Sequence, residues 1–291
     1  GAAAAARRSR LPARVKASER MSSPDFDPAP PEGPQVFGGG LRDHDVLIVA
    51  DAAAVQDLAC RRIADALAEA IGWRGHASLA LPGGSVLAMM GGLAEAVHGG
   101  KLVSVEWKKV VLVYVNHKCV PLDDAASNHR KALEIFADKV GLPRENIIAP
   151  GGSADGVHEA AAYEKKILSL PSEILPRNEE GTPVFDVLAL GMGSDGHIGS
   201  LYPNRSEISR RDAYVLHVEQ DGKPPSITLS LPVMNAAKEV VVLALGEKKA
   251  EALVKALKED AGDNGASFPA QALHPQEDST WILDTGAAKL L

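Results

Sequence analysis

Three short runs in this chain, Val110–Val115 (VVLVYV), Val187–Leu190 (VLAL) and Val240–Leu245 (VVVLAL), contain no charged or amide residue. A strand with one wet face alternates apolar and polar positions. A strand without that alternation is buried on both faces, and such strands belong to mostly parallel sheets with helices on either side. None of these runs approaches the ~20 apolar residues of a membrane span. Further strands are expected at "DVLIVA" (45–50), "HASLAL" (76–81), "AYVLHVE" (213–219), "SITLSL" (226–231) and "STWILD" (279–284). Helices are expected over roughly 52–71, with Asp51 as N-cap, and over 86–97, 127–139, 157–169 and 247–258. Strand and helix alternate, so the fold class is α/β: a Rossmann-like, mostly parallel sheet in one domain spanning 41–291. The "AYVLHVE" and "SITLSL" segments are counted among its strands.

The preceding segment reads differently. "GAAAAARRSRLPARVKASER" holds one acid, Glu19, among alanines and arginines. That is the composition of an organelle transit peptide, which points to a plastid, with Met21 as the start of a cytosolic form. Pro and Gly without periodicity follow, and residues 1–40 are expected to lack regular structure. The net charge of −7 argues against nucleic acid or a membrane surface as partner. It leaves room for a small anion held by a few local cations. Cys60 and Cys119 have no metal or redox spacing and are read as buried thiols. Nothing indicates a metal, and the default assembly is a monomer.

In parallel sheets ligands sit where strands end and helices begin. Three loops follow apolar strands: "LPGGS" (81–85), "VNHKCVP" (115–121) and "GMGSDGHIGS" (191–200). The last matches the glycine pattern of a dinucleotide fingerprint, with Glu219 near the place of a ribose-binding acid. However, Pro203 leaves any following helix about a turn and a half, too short for a normal fingerprint helix. In the same loop Asp195 and His197 flank a glycine. Histidine titrates nearest neutral pH and suits general base work, although a loop histidine bonded to backbone is an equally simple reading. Gly83, Gly84 and Ser85 form a glycine turn at a helix start, a place for an anion.

"FDVLALGMGSDGHIGSLYPN" resembles the signature of the 6-phosphogluconolactonases, relatives of the glucosamine-6-phosphate deaminases. "LALPGGSVLAMMGGL", "VYVNHKCVPLDDAASNHRKAL", "ITLSLPVMNAAKEVVVLALGEKKAEAL" and "FPAQALHP" extend the resemblance from about residue 45 to the end. "GSLYP" after Gly-His sides with the lactonases rather than the deaminases. The resemblance implies the NagB/RpiA-like fold and hydrolysis of 6-phospho-D-glucono-1,5-lactone in the oxidative pentose phosphate pathway, without a cofactor. It implies His197 as the base, with Asp195 either orienting the ring or capping the loop. Backbone amides of the 191–196 loop, Gly193 included, are implied as substrate contacts, and Lys249 as a cation for the 6-phosphate. Arg205 is a weaker candidate for that role, and Lys248 reads as a solvated charge.

Departures from the family pattern cluster at the same loops. Asn116-His117-Lys118 stands where Asp-Glu-Arg is usual, Ser226 where an arginine is usual, and Pro82 where a serine is usual. Asn116 and Lys118 remain substrate-binding candidates, although lysine lacks the planar fork that grips phosphate twice. His117 and Arg205 are the residues that stand to compensate. Two alternatives therefore stay open: a weak or inactive relative that binds sugar phosphates or regulates, and another sugar-phosphate hydrolase or isomerase.

Overall fold

The computed structural model describes residues 35–37, 41, 44–100, 102–259 and 267–291. The expected transit segment lies outside the described residues. Within the stretch read as lacking regular structure, Gln35–Phe37 forms a short strand (β1) paired antiparallel with β2 (Asp45–Val49).

α1 (Ala52–Arg74) starts where the Asp51 carboxylate accepts the Ala54 N–H at 2.9 Å. It ends at Gly75, whose left-handed backbone (φ +79°) donates its N–H to the Ile71 carbonyl. β3 (Ala77–Leu81), α2 (Gly84–His98) and β4 (Val110–Tyr114) follow. Every residue of β3 and β4 is buried. Successive side chains point to opposite faces, so both faces of the sheet are covered here. After β4 the chain leaves the sheet as β5 (Asn116–Lys118). The helix expected at 127–139 is α3 (Asn128–Ala132), a π turn over Leu133–Ala137, and α4 (Asp138–Val140). β6 (Ile147–Ile148), α5 (Gly156–Leu168) and β7 (Val187–Gly191) follow. The remainder is β8 (Val215–Val218), β9 (Ser226–Leu229), α6 (Leu231–Asn235), β10 (Glu239–Ala244), α7 (Ala250–Leu257) and β11 (Asp278–Asp284).

The main sheet has the order β1-β2-β11-β10-β7-β3-β4-β6, and all neighbours except β1 and β2 are parallel. From β3 the chain builds outward through β4 to β6, then returns to β7 and builds the other way through β10 to β11. The direction reverses between β3 and β7, so the connections leaving their carboxyl ends part there and leave a crevice.

β8 and β9 are not in this sheet. They form a separate antiparallel sheet of order β5-β9-β8. Only residues 219–225 join them, enough for an antiparallel return but short of the dozen or more that a parallel crossover needs. Val115 is the hinge between the two sheets. It donates its N–H to Leu81 of β3, and its carbonyl accepts from Leu229 of β9.

Candidate active site

The loops after β3, β4 and β7 meet at the reversal point and enclose a cleft of about 470 Å³. That volume suits a small ligand. Gly83, Gly84 and Ser85 line it, and α2 begins at Gly84, so the positive end of this helix opens on the cleft. Asn116 joins all three loops. Its Oδ1 accepts the Gly83 N–H at 3.2 Å, and its Nδ2 donates to Ser200 Oγ at 3.1 Å. Its carbonyl accepts from the Asn128 amide at 2.8 Å.

The 191–200 loop closes on itself rather than opening a helix. Bridges link Met192 to Ile198 and Ile198 to Leu201, and Gly193 N–H donates to the His197 carbonyl at 2.8 Å. This removes the dinucleotide reading, since the glycine pattern of this loop opens no helix whose amino end could face a pyrophosphate. Glu219 lies just beyond β8, a strand of the other sheet. The loop instead serves a side-chain pair. Asp195 Oδ1 accepts both the His197 backbone N–H, at 3.1 Å, and the ring Nδ1–H, at 2.6 Å. One oxygen of Asp195 thus bonds both the loop backbone and the ring. Partial burial opposes ionisation of this carboxyl, yet the bonds from the backbone and ring of His197 hold it below the usual aspartate range. With Nδ1–H given to the carboxylate, Nε2 keeps its lone pair and is the basic atom of the ring. His197 lines the cleft, and Tyr202 packs against the ring at 4.9 Å between centroids.

Two glycines make this loop. A Cβ at Gly193 would run into the His197 ring and Asp195 Oδ1, and so separate the pair. Gly196 has φ +85°, and a Cβ there would meet the Phe268 ring.

Four lysines line the cleft: Lys118, Lys131, Lys223 and Lys249. No carboxylate does so among the described residues. On an acidic protein, this concentrates positive potential in one place. Burial pushes the Lys249 ammonium down from the ordinary lysine value, with Asp284 pulling the other way. A half-buried cation without a bonded acid gains most from an incoming anion. Lys248 is exposed, as a solvated charge should be.

Of the sequence candidates, Gly83, Gly84, Ser85, Asn116, Lys118, Gly193, His197 and Lys249 share the cleft, with Asp195 bonded to the histidine. Arg205 does not. Its guanidinium is paired with Glu207 and donates to the Glu219 carbonyl, so it is corrected to a structural cation. His117 does not either. It is 1% exposed, its Nδ1 donates to the Lys118 carbonyl at 2.6 Å, and its Nε2 accepts from the His129 N–H. Burial lowers its proton affinity, so it is a neutral structural histidine. Sequence reasoning missed Lys131, Lys223 and Ser200. Ser200 was visible within "GSLYP", whereas the two lysines carry no signal beyond their charge.

A model of the family described as glucosamine-6-phosphate isomerases/6-phosphogluconolactonase matches residues 50–282. The chain belongs to this family. It is 35% identical over 196 residues to "Probable 6-phosphogluconolactonase 2" of Arabidopsis thaliana, covering 65% of this chain and 74% of that one. It is 32% identical over 192 residues to "6-phosphogluconolactonase 3, chloroplastic" of the same plant, covering 65% and 58%. Among solved structures, the 6-phosphogluconolactonase from Leishmania guyanensis superposes with a TM-score of 0.69 at 27% identity, over 83% of this chain and 96% of that one. Lys118 and Ser226, the two positions at which the resemblance implied arginines, are cross-strand partners in β5 and β9. Lys118 lines the cleft together with Lys131 and Lys223.

Proposed function

We propose that this chain hydrolyses 6-phospho-D-glucono-1,5-lactone to 6-phosphogluconate, as in the oxidative pentose phosphate pathway. The observation that carries the reading is the Asp195–His197 pair set in a cleft whose other ionisable lining residues are chiefly lysines. His197 Nε2 takes a proton from water as the oxygen attacks the lactone carbonyl. Asp195 steadies the imidazolium that forms. Gly84 and Ser85, at the amino end of α2, present backbone N–H groups to the developing oxyanion or the phosphate, since the Gly83 and Gly193 N–H groups are already given to Asn116 Oδ1 and the His197 carbonyl. The tetrahedral intermediate collapses by breaking the bond from C1 to the ring oxygen, which receives its proton from the imidazolium. Lys249 and the other lysines hold the 6-phosphate. Every group these steps need belongs to the chain. A plastid location is part of the reading, supported by the Ala/Arg-rich leading segment and the chloroplastic relative.

A second reading rests on the Lys118–Ser226 pair, which offers one cation and no guanidinium where two are usual. It makes the chain a sugar-phosphate-binding relative with little turnover. The rate of lactone hydrolysis, with spontaneous opening subtracted, separates the two. Wild type well above background and His197→Ala lower by about 10²–10⁴-fold supports the lactonase. Wild type at background, with 6-phosphogluconate still bound, supports the second reading.

A further inference from the structure

Asn116 fixes the direction of a hydrogen bond inside the cleft. Its Oδ1 faces the Gly83 backbone N–H, which can only donate. The amide orientation is therefore set by chemistry, and Nδ2 must be the atom that meets Ser200 Oγ. Nδ2 can only donate, so Ser200 Oγ is the acceptor and its own hydrogen goes elsewhere. Among the described residues the Ser200 hydroxyl has no acceptor.

The hydroxyl is held as a functional group would be. Ser200 is 3% exposed yet lines the cleft. Its backbone N–H donates to Thr228 Oγ1 at 3.2 Å. Thr228 is the cross-strand partner of Asn116, so both anchors of Ser200 come from one β5–β9 rung. Ser200 also sits three residues after His197 in the same closed loop. A buried hydroxyl with an unspent proton, in a cleft rich in cations, suits an oxygen that carries negative charge.

We infer that Ser200 is a substrate-binding donor, that its O–H bonds to a charged oxygen of the sugar phosphate, and that Asn116 is the positioning residue that keeps this proton pointed at the ligand. The inference rests on the proposed sugar-phosphate reading and deepens it.

Asn116→Asp tests the direction without removing the hydroxyl. A carboxylate still accepts from Gly83 N–H, so the loops stay joined. It only accepts, however, so Ser200 must turn its proton onto the new carboxylate. The measurements are the affinity for 6-phosphogluconate by calorimetry, and KM and kcat on the lactone, for wild type, Ser200→Ala, Asn116→Asp and the double variant. Melting temperatures confirm that each variant is folded. The expected result is a loss of about tenfold or more in affinity and kcat/KM on removing the hydroxyl from wild type, but less than about twofold in the Asn116→Asp background. Added negative charge weakens binding equally with and without the hydroxyl, so it does not imitate this coupling. The same fold-loss in both backgrounds, or no loss in wild type, overturns the inference. Wild type that binds with the expected coupling but shows no hydrolysis keeps the inference and refutes the lactonase. Wild type that neither binds 6-phosphogluconate nor hydrolyses the lactone above background refutes both.

Discussion

Asp195→Asn separates the two things this carboxylate does. An asparagine Oδ1 can still accept the His197 N–H that now bonds at 3.1 Å, so the loop keeps its cap. What disappears is the charge beside Nδ1, now 2.6 Å from the carboxylate oxygen. As His197 takes a proton it becomes half of an ion pair. Unit charges about 4 Å apart attract by roughly 1 kcal/mol in water and roughly 4 kcal/mol near a protein surface. The histidine side chain is 34% exposed and the aspartate 53%, so solvent screening puts the value near the lower end. About 1–2 kcal/mol corresponds to about a 5–30-fold loss in kcat. The assay is lactone hydrolysis with the spontaneous rate subtracted, beside a melting curve. Unchanged kcat in Asp195→Asn would refute the reasoning and reduce the carboxylate to a loop cap. A loss equal to that of His197→Ala would refute it in the other direction and make Asp195 indispensable to the chemistry. Acid unfolding gives a second reading of the same pair. The folded carboxyl is held below the ordinary aspartate range, so its stabilisation is present above that range. It is lost as pH falls from the ordinary value through the lowered one, and Asp195→Asn should lack that part of the acid limb.

Lys249→Met should weaken 6-phosphogluconate about tenfold or more in calorimetry, while the melting temperature holds or rises, because burial already disfavours the ammonium. Lys248→Met, on the exposed neighbour, should leave affinity unchanged; equal losses at both positions would show only a general charge effect. Cys60 and Cys119 have thiols pushed up to about 12, in each case chiefly by burial. Both should resist alkylation at pH ~8 in the folded protein and react once it is unfolded in denaturant. Fast labelling of either in the native state would contradict their burial.

The parallel core was readable because all-apolar runs have one economical home, and Asp51 announced α1 by its chemistry. The small antiparallel sheet was not readable. "AYVLHVE" and "SITLSL" carry the same short apolar pattern whichever sheet receives them, and only the brief connection between them decides. β1 and β6 are three and two residues long, too short for any periodicity. At the site, the Asp-Gly-His chemistry was visible as residue types placed after a strand, whereas Lys249 was marked only by the resemblance to the family. Arg205 looked identical to a free cation until Glu207 was seen to hold it. His117 looked able to replace a missing charge until its nitrogens were found occupied. Asn116 read as a lost acid, but in the structure it sets a hydrogen-bond direction that an acid would reverse. Lys131 and Lys223 belong to different segments, and their convergence is a property of the tertiary fold alone.

Four ammonium groups around an acid-free cleft repel one another, and an anion that settles among them relieves this. Any anion the folded cleft holds better than the unfolded chain raises the unfolding free energy, by about 1.4 kcal/mol for each tenfold rise above its dissociation constant. The buffer thus becomes a ligand. In phosphate this protein should melt higher and turn over more slowly than in a chloride buffer of equal ionic strength, so the conditions that make it easiest to keep would be those in which it works least.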